Sequence, residues 1–205
     1  MKSLPLHTLS CLGYDRIVAE RLFLLGARPP VVQAVCLIGK KAAIRLYKLI
    51  HQRSPKQGML PYDPFWVVRS AVYNIHASVF LGLVHDLCQY HQLKTLTADV
   101  LITAYDLYGR VVANNPSPSK LEASADHCQL LCINRAWQQA GQFFAGELAL
   151  VFCTKCQARH VVIAKLPKPF QQCPICEVWA DNAGRRRWMT PKARLHGNHA
   201  CQGTV

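Results

Sequence analysis

A mainly α-helical chain, ending in a small four-cysteine module and a basic tail, is the fold class this sequence predicts. Three observations carry it. Apolar residues recur at helical spacing in segment after segment from Asp15 to Phe144. Two Cys-x-x-Cys pairs, Cys153/Cys156 and Cys173/Cys176, follow, separated by sixteen residues. The formal charge of +13 is split between two ends, with +7 in residues 1–53, −1 in 54–150 and +7 in 151–205. The expected organisation is a helix-turn-helix-like region at 1–53, a central helical scaffold at 54–147, a four-cysteine zinc module at 148–180 and a basic tail at 181–205.

The first ten or so residues read as loose. A helix is expected from about Asp15, with Ile17, Val18, Leu22, Leu24 and Leu25 apolar, ending at Gly26. Pro29-Pro30 suit the first turn of a second helix, where a missing N–H costs nothing, and that helix is expected to run to Gly39. The third helix, Lys40 to Ile50, is the informative one. Lys41, Arg45 and Lys48 fall within about 60° of one another at 100° per residue. Ala43, Leu46, Tyr47 and Ile50 lie on the other side. Lys40 and Lys41 stand at the helix N-terminus, where positive charge opposes the helix dipole. An approaching phosphate would offset that. Helix, short turn and basic amphipathic helix make a helix-turn-helix pattern, although an ordinary surface helix with solvated lysines has the same sequence pattern.

Ser54 to Pro64 is a turn-rich link with Pro55, Gly58, Pro61 and Pro64. One long helix is expected from Phe65 to about Gln92, apolar nearly all round and therefore central. Its histidines, 76, 85 and 91, share no single helical face, so they read as core or surface residues rather than metal ligands. The next helix runs from Thr97, a plausible cap, to about Val112. Asn114-Asn-Pro-Ser-Pro118 breaks it, and Ser119-Lys-Leu-Glu122 matches a capping box. A further helix passes through Leu130, Leu131, Ile133, Trp137 and Phe144. Cys128 and Cys132 are one turn apart on it and read as small buried hydrophobes sooner than as a metal or disulfide pair.

Leu148–Phe152 and His160–Lys165 are β-prone runs flanking the first cysteine pair. Strand, knuckle, strand, knuckle is a zinc ribbon. Paired Cys-x-x-Cys spacing favours one structural Zn²⁺ per chain, held by Cys153, Cys156, Cys173 and Cys176, over two disulfides or four free thiols. With four sulfur ligands the site is closed, leaving no position for substrate water. Lys155 and Arg159, beside the first knuckle, are expected to help keep the thiolates ionised. Beyond them, Gly184-Arg-Arg-Arg-Trp188 carries an arginine triplet that suits a phosphate backbone, or equally a solvated tail. His196, His199 and Cys201 stand in that tail, but four cysteines already fill a tetrahedron.

Composition narrows the function. A hydrophobic content of 51% and charged content of 17% describe a globular chain, and a pI near 9.5 points to an anionic partner. Pro5 and His7 interrupt any secretory leader, and the six cysteines outside the module have no framework spacing, so a reducing cytoplasm is expected. The longest weakly charged stretch, Ser70–Val84, falls short of the roughly 20 residues a membrane span requires. No acid pair, activated nucleophile or phosphate-cradling glycine loop is visible, so no enzyme is expected.

Several stretches together resemble the FlhC family of flagellar transcriptional activators. They are Leu24-Leu-Gly-Ala-Arg28, Arg45-Leu-Tyr-Lys48, Gly58-Met-Leu-Pro-Tyr62, Asn74-Ile-His-Ala-Ser78, Ala104-Tyr-Asp-Leu-Tyr108, Arg135-Ala-Trp137 and the four cysteines. They occur in the family's order from about Glu20 to Cys176. The resemblance implies a mostly helical DNA-binding subunit with a zinc-bearing C-terminal region. It also implies a heterohexamer of two such chains with four FlhD chains, binding to the promoter duplex of flagellar operons and recruitment of RNA polymerase. The family's zinc ligands carry over to Cys153, Cys156, Cys173 and Cys176. Its DNA contacts do not carry over one by one. Arg28, Lys40, Lys41, Arg45, Lys48, Arg185, Arg186 and Arg187 are expected contacts from charge geometry. The alternative is a zinc-ribbon module that binds protein without reading DNA.

Overall fold

The computed structural model describes residues 6–36, 38–114, 131–165 and 172–177, with the backbone alone for 6–12. The expected capping box at Ser119–Glu122, Cys128, the arginine triplet and Cys201 lie outside the described residues.

Among the described residues the fold is mainly helical, with one two-stranded sheet that follows the last helix. The first helix, α1 (Leu6–Leu24), starts well before Asp15, so residues 6–10 of the stretch expected to be loose are helical. Gly26 ends it as expected. With φ at +86°, Gly26 lets its own N–H reach Phe23 O at 2.9 Å and the N–H of Ala27 reach Leu22 O at 2.9 Å. Two otherwise orphaned carbonyls are thereby satisfied. Pro29 opens α2 (Pro29–Val35), which stops at Cys36 rather than at Gly39. Helix α3 (Lys40–His51) follows and packs against α1, with Phe23 and Tyr47 edge to face at 5.4 Å.

The long helix expected from Phe65 to Gln92 is divided. A 3₁₀ turn covers Pro64–Val68, and α4 covers Ala71–Tyr90. Two consecutive side-chain caps cause the division. Asp63 accepts from the N–H of Phe65 at 3.0 Å, and Ser70 accepts from that of Tyr73 at 3.2 Å. Each therefore starts its own turn. Helix α4 is central as expected, contacting the 3₁₀ turn, α5 (Ala98–Asn114), α6 (Ile133–Phe144) and both strands. Thr97 caps α5, accepting from the N–H of Val100 at 3.3 Å. Tyr14 donates to Asp99, and Arg21 pairs with Asp106 at 2.8 Å, so α1 is clasped to α5. Helix α6 begins at Ile133, later than Leu130, with Cys132 exposed at its N-cap.

Strands β1 (Leu148–Phe152) and β2 (Arg159–Ile163) pair antiparallel, with Leu150 opposite Val161. One buried cluster runs from Val18 and Leu22 through Phe80, Leu81, Leu101 and Tyr108 to Val161 and Ile163. The strands are thus packed into the helical core. No helix among the described residues is long and apolar enough to cross a membrane.

Candidate metal centre and basic face

The four cysteines meet at the end of the β-hairpin. Cys153 directly follows β1, and the chain turns back through residues 154–156. Three bonds close this knuckle. Cys153 N–H donates to Ala158 O at 2.9 Å, Gln157 N–H to Cys153 O at 2.9 Å, and Lys155 N–H to Cys153 Sγ at 3.4 Å. Cys173 directly precedes a helical turn at 174–177 that contains Cys176, closed by Glu177 N–H to Cys173 O at 3.0 Å.

The sulfurs lie within 4.8 Å of one another, with Cys153–Cys176 at 3.8 Å and Cys156–Cys173 at 3.6 Å. A tetrahedron with metal–sulfur distances of about 2.3 Å has edges of about 3.8 Å. Disulfides would need about 2.05 Å. The donor set therefore fits a four-coordinate zinc ion. Its electrostatics agree. Backbone N–H groups of Cys156 and Lys155 draw the Cys153 thiol down to about 6. A hydrogen bond to Cys156, with burial second, pushes Cys176 up to about 12. Four sulfurs this close do not all ionise unaided, and a divalent cation at their centre supplies the missing charge. Bound zinc would hold the two knuckles together and stay coordinatively closed.

Arg159 does something other than expected. Its guanidinium makes a two-pronged pair with Asp86 of α4, both bonds at 2.7 Å, so its charge serves that carboxylate rather than the thiolates. The pair draws the Asp86 carboxyl down to about 2. A methyl group on Gly82 would stand 2.8 Å from Arg159 Nη2. Gly82→Ala is therefore expected to displace the guanidinium and raise the Asp86 carboxyl toward the ordinary range, as read by carboxyl NMR titration, with His85 still holding it part of the way down. A depressed folded-state pKa stabilises above the unfolded value and is lost as pH falls through the folded one. The variant should accordingly lose less stability than wild type between about pH 4 and pH 2.

A second anchor was not legible in the sequence. Leu150–Val161 is a non-hydrogen-bonded pair of the ladder, so the N–H and C=O of Val161 point away from β1. Helix α4 takes both. Ser78 Oγ accepts from Val161 N–H at 2.9 Å, and Asn74 Nδ2 donates to Val161 O at 2.9 Å and to Val67 O at 3.1 Å. Ser78 Oγ donates in turn to Asn74 Oδ1 at 2.9 Å. The available signal was an Asn and a Ser four residues apart on a helix otherwise suited to burial.

The basic face is where the sequence places it. Lys40, Lys41, Arg45 and Lys48 are exposed, while Ala43 and Tyr47 are buried. Among the described residues, no acidic side chain forms an ion pair with these four cations. Arg28 stands apart from them. It is half-buried, and its guanidinium donates to Met59 O at 2.9 Å, Lys56 O at 2.9 Å and Gly58 O at 2.6 Å.

Comparison with known proteins is consistent in one direction. The family model described as "Flagellar transcriptional activator (FlhC)" matches residues 14–189. The "Flagellar transcriptional regulator FlhC" of Gallionella capsiferriformans is 31% identical over 183 residues, covering 89% of this chain and 92% of the relative. The proteins of that name from Proteus mirabilis and Yersinia enterocolitica are 28% and 27% identical, over 80% and 87% of this chain and 78% and 86% of their own lengths.

Proposed function

The chain belongs to the FlhC family of flagellar transcriptional activators, and from that premise we propose that it is a DNA-binding subunit which activates flagellar operons together with FlhD. The role is regulatory, in transcription of flagellar genes, rather than enzymatic. The observation that carries the DNA-binding reading is the basic face of α3. Four exposed cations have no acidic partner among the described residues, on a helix whose other side is packed. Lys40, Lys41, Arg45 and Lys48 hold phosphates in this reading. Arg185, Arg186 and Arg187 add a second contact region. The zinc ion of the four-cysteine site is structural and keeps the C-terminal module rigid. The near-neutral central scaffold, 54–147, carries the FlhD interface in a heterohexamer of two of these chains and four FlhD chains. The complex acts in the cytoplasm, at promoters, by recruiting RNA polymerase.

The test is binding of the FlhD complex to a flagellar promoter duplex and to a scrambled duplex across a salt series. Preference for the promoter is expected, with affinity falling steeply as salt rises. Replacing Lys41, Arg45 and Lys48 together by glutamine should flatten the slope of log K against log salt by about 2.7, at about 0.9 per phosphate contact. An unchanged slope in the triple variant would remove α3 from the interface. Equal binding to both duplexes at physiological salt would sink the sequence-specific activator. A second reading, a zinc module that binds only protein, draws on Phe152, which is 68% exposed at the end of β1. That reading predicts no duplex binding beyond that of FlhD alone.

A further inference from the structure

We propose that Arg28 is a positioning residue, which brackets α2 and α3 against the scaffold by gripping the link that follows them. The proposal rests on the DNA-binding reading of α3.

Arg28 is the N-cap of α2. The carbonyls it grips belong to Lys56, Gly58 and Met59, in the link that follows α3. One side chain thus joins the entry of the α2–α3 unit to its exit. Gly58, at φ +106°, adopts a backbone conformation that residues with a side chain rarely take up, where the link turns around the guanidinium. Three backbone carbonyls directed at one cation resemble the way a helix C-terminus is capped by arginine. The backbone of Arg28 is held as well. Its N–H donates to Asn134 Oδ1 at 2.8 Å, and Asn134 Nδ2 donates to Gly26 O at 3.0 Å. The α1–α2 corner, the link and the first turn of α6 therefore converge on this residue.

The donor inventory argues against a phosphate contact. A guanidinium has five N–H donors. Three are used on the link carbonyls, and Nε is buried without a partner. One remains, so the two-pronged grip that makes arginine effective on phosphate is not available. The same geometry brings Leu24-Leu-Gly-Ala-Arg28 and Gly58-Met-Leu-Pro-Tyr62 together in space. They are the two halves of one joint.

The test compares Arg28→Ala, Arg28→Lys and Lys41→Gln in the full chain with its FlhD partner. Promoter affinity is measured across a salt series, and amide hydrogen exchange of the link is measured without DNA. Far-ultraviolet circular dichroism checks that each variant is folded. Lysine keeps the charge but lacks the fork. Both Arg28 variants should therefore lose about tenfold in affinity with an unchanged salt slope, and should exchange faster at residues 56–60. Lys41→Gln should flatten the slope by about 0.9 and leave link exchange as in wild type. A slope reduced by about 0.9 in Arg28→Ala and restored in Arg28→Lys would make Arg28 a phosphate contact and overturn the proposal. Unchanged link exchange in both Arg28 variants would overturn it too. If the wild-type complex binds no duplex, the DNA-binding reading fails and the positioning role fails with it, an outcome distinct from either of the others.

Discussion

Cys173→Ser is expected to empty the four-cysteine site and release the second knuckle from the hairpin, while the helical core stays folded. Four thiolates hold zinc cooperatively, and in small modules the metal-binding free energy, of order 10–16 kcal/mol, is also the folding free energy. Serine cannot replace the thiolate at neutral pH, and the three remaining sulfurs bind far more weakly. An isolated two-stranded hairpin is marginal in water. Here β2 is also fastened to α4, so the expected damage is confined to the knuckles, residues 153–158 and 172–177. Metal analysis should fall from about one zinc per chain to near zero, and limited proteolysis should cut first in the knuckles. Cys132→Ser removes an exposed thiol outside the site and should change neither readout. Retention of full zinc by Cys173→Ser would refute the four-ligand assignment.

The second large effect belongs to Asn74. Asn74→Leu keeps roughly the volume of the side chain and removes its hydrogen bonding. Val67 O and Val161 O lose their donor, and Ser78 Oγ loses its acceptor. Asn74 and Ser78 are both buried, so water does not readily replace what is lost. Each abandoned buried group costs about 1–3 kcal/mol. Allowing for partial relaxation, a destabilisation of about 3 kcal/mol is expected in denaturant unfolding. Ser78→Ala should cost less, because Asn74 keeps both carbonyls. The double variant should fall short of the sum, since the two side chains share one network. A cost for Asn74→Leu below about 0.5 kcal/mol, the usual range of surface substitutions, would show that this clamp does not hold the ribbon to the core.

These two sites differ in how far they could be read in advance. The cysteines were legible because the chemistry of a four-thiolate site needs two sulfurs from each of two tight turns, which fixes a local spacing. The amphipathic character of α3 was legible for the same reason, since 100° per residue is a local rule. The divided helix at Phe65–Gln92 was not, because uniform hydrophobicity hides a break. The break comes from two side-chain caps, Asp63 and Ser70, and from Asn74, which takes the carbonyl of Val67. The part played by Arg159 was misjudged because proximity in sequence to Cys156 suggested a partner, whereas Asp86, far away in sequence, offered a fixed carboxylate.

By itself the sequence determined the helical class, the four cysteines whose spacing suits a metal ion, the exposed cations of α3 and the motifs that resemble one family. All of these rest on patterns within a few turns of chain. Only the tertiary structure decided how the four-cysteine module joins the helices, through Asn74 and Ser78 on Val161 and Asp86 on Arg159. It also directed Arg28 to the link carbonyls. The physical reason is the same in each case. A buried or half-buried polar group must find a partner, and which partner is within 3 Å depends on packing between segments that the sequence places many residues apart.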